Sequence, residues 1–186
     1  MNLEDIFESS PVITAVKDDK GLEHALEKDC AMVFILYGNI CSIGGIVDRI
    51  KEQGKLAIVH VDLIAGLSSK EVAVDYIKQN TRADGIISTK PVLVKHAMEL
   101  GLIGGQRTFI IDSMALDNTR KQLSSFKPDF MEIMPGVMPK VLKQVREMTT
   151  VPLVAGGLLS DKHDIMAAFQ AGVDAVSTTK EAMWEV

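Results

Sequence analysis

Residues 151–186 read VPLVAGGLLSDKHDIMAAFQAGVDAVSTTKEAMWEV. An apolar run at 153–155 leads into Gly156-Gly157, and a second at 175–177 leads into Thr178-Thr179. Between them Ile165, Ala168, Phe169 and Gly172 recur at helical spacing. Strand, helix and strand in unbroken succession indicate parallel pairing, because parallel strands need a crossover connection. Upstream, the same unit repeats. Short apolar, β-branched runs stand at 12–16, 32–37, 57–62, 85–88, 108–112 and 130–134, separated by helical stretches such as Val137-Val141-Val145. Eight similar units favour closure into a (β/α)8 (TIM) barrel over an open doubly wound sheet.

The predicted fold is therefore one α/β domain over residues 1–186, a compact barrel with short loops. After the eighth run only residues 180–186 are left for a helix, which predicts a truncated last helix. Residues 1–10 are predicted to form a short helix across the barrel floor.

Composition narrows the function. The formal charge of -5 argues against a surface given over to nucleic acid, which usually carries a basic excess. No segment has the makings of a signal peptide or of a membrane span, so no membrane role is expected. Cys30 and Cys41 fit no metal spacing, and two cysteines in a chain of this length suit a reducing cytoplasm. Neither a metal nor a cofactor is expected.

In parallel barrels the C-terminal strand ends form the functional rim, and a phosphate commonly sits between the loops after strands seven and eight. Gly156 and Gly157 let backbone N–H groups approach an anion. Ser177, Thr178 and Thr179 bring N–H groups and hydroxyls to the start of the predicted terminal helix, a natural anion site. The same residues also suit a tight turn and helix caps, with Ser160 and Thr178 capping. Their coincidence in the last two of eight units favours phosphate binding.

Other polar residues fall near strand ends. Asp62 ends the third run on the face of Ile58 and His60, and is a candidate hydrogen-bond acceptor or general base. Lys90, held out of helix by Pro91, can neutralise phosphate, pair with Asp62 or form a Schiff base. Asp112 and Glu132 close runs five and six, and Pro135-Gly136 after Glu132 turns the backbone around the site. His60 reads as a core residue. Ser113 has no evident histidine partner for nucleophilic chemistry.

The ordered set PVITAVKD, MVFILYGNI, HVDLIAGLS, DGIISTKP, FIIDS, FMEIMPG, VPLVAGGL and AVSTT resembles the glycerol uptake operon antiterminator regulatory proteins of bacteria, over residues 11–184. The resemblance implies a TIM-barrel regulator that binds glycerol 3-phosphate as effector. It also implies binding to the leader mRNA of glycerol-utilisation genes, preventing premature transcription termination. Carried onto this chain, Gly156, Gly157, Ser177 and Thr178 would hold the phosphate. Asp62 and Glu132 would be candidates for the glycerol hydroxyls, with Lys90 near the anion.

An acidic protein that meets RNA needs its basic charge concentrated on one side. From Arg107 to Arg146 basic residues outnumber acidic ones, seven to four. Lys140, Lys143 and Arg146 form a three-residue-spaced stripe on the predicted sixth helix, with Arg120, Lys121 and Lys127 in the unit before it. That stripe is the candidate RNA face; a solvated face or a subunit contact accounts for it equally well. Ligand-dependent homo-oligomerisation, or ordering of a rim loop such as residues 65–69, would connect effector to RNA. The rival reading is a phosphate-binding barrel enzyme of aldolase, epimerase or glycerol-phosphate prenyltransferase type, against which the short loops weigh, since they exclude little water.

Overall fold

The computed structural model describes residues 2–185. Eight strands run parallel around a closed barrel in chain order: β1 (Val12–Val16), β2 (Met32–Ile35), β3 (Leu56–His60), β4 (Gly85–Ser88), β5 (Ile103–Phe109), β6 (Phe130–Met134), β7 (Leu153–Gly156) and β8 (Ala175–Thr178). Pairing of Val12 with Val176 and Thr14 with Thr178 closes the ring. Helices α2 (Asp19–Glu27), α3 (Ile43–Glu52), α4 (Val72–Asn80), α5 (Pro91–Glu99), α6 (Ser113–Ser125), α7 (Pro139–Arg146) and α8 (Lys162–Gln170) cover it outside.

Alternation along each strand sorts side chains into two apolar layers. Val33, Ile35 and Val59 point outward against helical residues such as Val47, Leu93 and Leu142. Ile13, Met32, Phe34, Ile58, Phe130 and Val154 fill the lower interior. Helix α1 (Leu3–Ser9) closes that end as expected, burying Ile6 and Phe7. The Phe7 ring meets Phe130 edge-on at 6.3 Å, and Phe130 stacks on Phe34 at 5.6 Å. Each buried aromatic contributes about 2–3 kcal/mol. With the floor plugged by apolar rings, the interior is open to a polar ligand at the C-terminal rim.

The other face carries a repeated device. Asp84, Asp129 and Asp174 stand 45 residues apart, each just before an even-numbered strand. Their carboxylates accept hydrogen bonds from the backbone N–H of Ala57 (2.8 Å), Gly104 (2.8 Å) and Leu153 (2.7 Å), at the start of the preceding odd strand. These N–H groups have no strand partner at the barrel's edge, and each Asp supplies one. Basic side chains from helix ends offset two of the acids: Lys51 pairs with Asp84 at 2.7 Å and Arg146 with Asp174 at 3.0 Å.

Two expectations change. The fifth strand begins at Ile103, not 108. The added stretch of strand includes Gly104 and Gly105, and Gly105 is where the Phe130 ring crosses the strand, leaving no space for a side chain. After β8 the described residues form no α-helix but a 3-10 turn at Glu181–Met183. Met1 and Val186, the outer ends of the two predicted terminal helices, lie outside the described residues.

Candidate functional site

At the ends of β7 and β8 the barrel opens into a cavity of about 440 Å³. Gly157, Ser160, Thr178, Thr179 and Lys180 line it from the two loops. Gly157 has φ +75°, and Leu158 follows at φ 62°, so the chain after β7 turns through two left-handed residues. The second is a leucine with its side chain in solvent; a non-glycine residue held this way costs roughly 1–2 kcal/mol, and such strain clusters at ligand-binding loops. Lys180 Nζ donates to the Ser160 carbonyl, strapping the loop after β8 to the loop after β7. A cation and two loops of backbone therefore converge on one opening.

Arg107, Glu132 and Ser177 form the buried side of the cavity. Arg107 on β5 stands in register with Glu132 on β6. Its Nε donates to Glu132 Oε2, and Ser177 Oγ donates to Oε1 at 2.5 Å. Glu132 has no exposed surface, so its charge is tolerable only with partners of this kind. The pair also explains Gly156: a Cβ there would stand 2.5 Å from Glu132 Oε1 and 2.7 Å from Ser177 Oγ. Gly156 makes room for the carboxylate, not for a ligand. The Ser177 hydroxyl proton is likewise committed to Glu132.

A second polar set sits across the mouth. The third strand ends at His60, and a 3-10 turn (Val61–Leu63) carries Asp62 over the rim. Asp62 accepts from Ser88 Oγ (3.0 Å), Thr89 N (2.7 Å) and Oγ1 (3.1 Å), and Lys90 Nζ (3.2 Å). Burial pushes its carboxyl up, but the Thr89, Ser88 and Lys90 hydrogen bonds outweigh that and hold it below the usual range. Lys90 also donates to Ser69 Oγ at 2.9 Å. Asp62 and Lys90 thus tie down the loops after β3 and β4, and neither lines the β7–β8 cavity. Beneath them His60 is buried, with Nδ1 unpartnered and 3.8 Å from Asp62. Burial first, and the Arg107 charge second, lower its pKa to about 4, so the imidazole is neutral near pH 7.

Three other expectations are corrected. Asp112 lies beyond the end of β5 and is exposed; it caps α6 by accepting from Ala115 N at 2.7 Å. Arg146 leaves the basic stripe: besides Asp174 it binds the carbonyls of Thr149 and Val151, and of the three basic residues Lys140 and Lys143 are the exposed ones. Among the described residues no α-helix follows β8, so the helix end expected to face an anion there is replaced by a 3-10 turn, and Lys180 is the cation that lines the cavity from that loop. The sequence reading passed over Arg107 and Lys180. Alternation along β5, which sets Ile103, Gly105 and Arg107 on one face, would have placed Arg107 inside.

Among the described residues, the cluster with metal-ligand proximity is Asp161, His163 and Asp164. Its carboxylates cap the start of α8, accepting from Asp164 N (2.9 Å) and Ser160 N (2.8 Å) respectively. No helix of the described residues is long and apolar enough to cross a membrane.

The family described as glycerol-3-phosphate responsive antiterminator matches residues 12–184. The chain is 47% identical over 184 residues to the Escherichia coli (strain K12) protein named "Uncharacterized protein YgcP", covering 99% of this chain and 96% of that one. Among solved structures, the glycerol uptake operon antiterminator regulatory protein of Listeria monocytogenes superposes with a TM-score of 0.90 at 28% identity, over 94% of each chain. A glycerol uptake operon antiterminator-related protein of Thermotoga maritima gives 0.85 at 27% identity, over 95% of this chain and 99% of that one. Orotidine 5'-phosphate decarboxylase of Pyrococcus horikoshii, at 18% identity and TM-score 0.69 over 94% and 91%, shares the barrel fold. This chain belongs to the glycerol-3-phosphate responsive antiterminator family.

Proposed function

We propose that the protein senses glycerol 3-phosphate and, when loaded, acts in the cytoplasm on the leader mRNA of glycerol-utilisation genes to prevent premature termination. The observation that carries the ligand half is the convergence of Gly157, Thr178, Thr179 and Lys180 on one cavity at the ends of β7 and β8. Backbone donors and an ammonium suit a phosphate dianion. For the RNA half, Lys140 and Lys143 stay exposed on α7, and Arg120 and Lys121 are exposed on α6, the preceding helix. The rival enzyme reading draws less support, because the acid that lines the cavity, Glu132, is engaged by Arg107 and Ser177, and Asp62 by the loop after β4, so neither offers a free base.

Calorimetry with glycerol 3-phosphate and glycerol, followed by single-round transcription through a leader terminator, tests both halves. Binding of the phosphate ester but not glycerol, with read-through that rises only when it is present, is expected. Unchanged heats and melting at millimolar ligand would sink the sensor reading. Consumption of the ligand would sink it in favour of an enzyme.

A further inference from the structure

We infer that Arg107, held by Glu132, reads the end of the ligand opposite the phosphate, admitting a hydroxyl and excluding a carboxylate. This rests on the proposal that the β7–β8 loops hold the phosphate. Arg107 enters the same cavity from β5, on the far side of β6 from those loops. One of its donors, Nε, is committed to Glu132. The terminal nitrogens make no hydrogen bond among the described residues, and they are absent from the buried unpartnered atoms because they are open to the cavity. The Arg107 side chain is more than nine-tenths buried, with 9% of it exposed. Since a guanidinium is donor-only, the group it meets must be an acceptor oxygen.

Glu132 decides which oxygen. Its carboxylate lies at the buried back of the cavity with both oxygens engaged, Oε2 by Arg107 and Oε1 by Ser177, so it positions the arginine and leaves the ligand to it. Its charge is nevertheless felt. The ion pair is neutral overall, and a hydroxyl adds no charge to it. A ligand carboxylate on the terminal nitrogens would place a second anion beside Glu132, with one cation between two negative groups. In a buried site that repulsion is poorly screened, and it acts as a barrier against the wrong ligand. Sites built to hydrogen-bond a hydroxyl also discriminate strongly against analogues that lack it.

Calorimetry with glycerol 3-phosphate, propyl phosphate and 3-phosphoglycerate tests this. These share a phosphate and differ at the other end: hydroxyls, methyl, carboxylate. Wild type should bind glycerol 3-phosphate on the order of 100-fold tighter than propyl phosphate and at least about tenfold tighter than 3-phosphoglycerate. Glu132→Gln keeps an acceptor for Arg107 and removes the anion. It should raise the affinity for 3-phosphoglycerate relative to glycerol 3-phosphate by about tenfold, a gain that lost packing cannot produce. The double variant Arg107→Met/Glu132→Leu removes both charges together, so no lone charge is left buried. It should bring glycerol 3-phosphate down to the affinity of propyl phosphate while propyl phosphate itself is retained. Wild type that takes 3-phosphoglycerate as tightly as glycerol 3-phosphate, or a Glu132→Gln ratio unchanged from wild type, overturns the inference. So does a double variant that loses both esters in step. If wild type binds none of the three, the phosphate reading falls and this inference with it.

Discussion

Lowering the pH from 7 to 5 should remove about 2 kcal/mol of stability through His60 alone. The ordinary histidine pKa is 6.5, and burial together with the Arg107 charge brings His60 to about 4 in the folded protein. The unfolded chain therefore binds the proton first, and between the two values acid favours unfolding. Above 6.5 the penalty is absent, and below about 4 it is complete. At 1.36 kcal/mol per unit, the full difference is about 3 kcal/mol, of which about 2 kcal/mol has been lost by pH 5. For a domain of this size that corresponds to a fall in Tm of roughly 4–8 °C. The groups facing the imidazole are Asp62, Lys90 and Arg107; the first favours its protonation and the other two oppose it. Urea unfolding between pH 5 and 7.5 measures the effect, with the buried Trp184 as reporter, since its indole is fixed by a 2.9 Å bond to the Thr178 carbonyl. His60→Gln supplies the control: Nδ1 has no partner to lose, and the variant cannot take up the proton. His96 works in the opposite sense, because the Asp75 hydrogen bond raises its pKa and acid strengthens that pair. Only the difference between wild type and His60→Gln isolates the buried imidazole. Parallel stability-versus-pH curves for the two proteins would refute the reasoning.

Four further outcomes are expected. Asp129→Ala orphans the Gly104 N–H and should cost about 1–3 kcal/mol, seen as an earlier urea midpoint. Lys180→Met removes the cation that straps the loops after β7 and β8; it should weaken glycerol 3-phosphate binding about tenfold with little change in Tm, as calorimetry and melting would show. Lys140→Glu/Lys143→Glu should abolish leader mRNA binding in a gel-shift assay and leave the melting temperature within about 2 °C. Arg146→Glu, by contrast, should destabilise the fold by about 1–3 kcal/mol, because it sets an acid against Asp174 and abandons two carbonyls.

What the sequence disclosed depends on how far each residue's role is local. The strands at 12–16, 85–88 and 130–134 coincide with β1, β4 and β6 because β-branched and apolar runs there are bounded by polar turns. The fifth strand was displaced because its glycines answer to a ring on the neighbouring strand, and sequence spacing carries no trace of Phe130 lying over Gly105. The site divides in the same way. Gly157 was legible as a loop glycine. Gly156 was legible as a glycine but not for its reason, which is a carboxylate arriving from β6. Arg107 was hidden because a lone arginine in an apolar stretch reads as surface until its partner in register is known. Arg146 shows the converse: three basic residues at one spacing look alike, and only Asp174, brought close by the next βα unit, separates the third from the other two.

The acidic composition, which spoke against a polyanionic partner, takes a different meaning once the acids are placed. Asp84, Asp129 and Asp174 are turned to backbone N–H groups at one end of the barrel. Asp18, Asp112 and Asp161 cap helices. Asp62 fastens the loops after β3 and β4, and Glu132 is sealed beneath Arg107 and Ser177. These eight carboxylates are oriented toward internal donors, so they weigh less on the field at the β7–β8 opening than the formal charge of -5 suggests. The cations there and on α7 face outward, Lys180 at the cavity and Lys140 and Lys143 in solvent. A chain can therefore be acidic in sum and still offer positive potential where a phosphate would sit, because the field at a site follows the placement of charges and not their total.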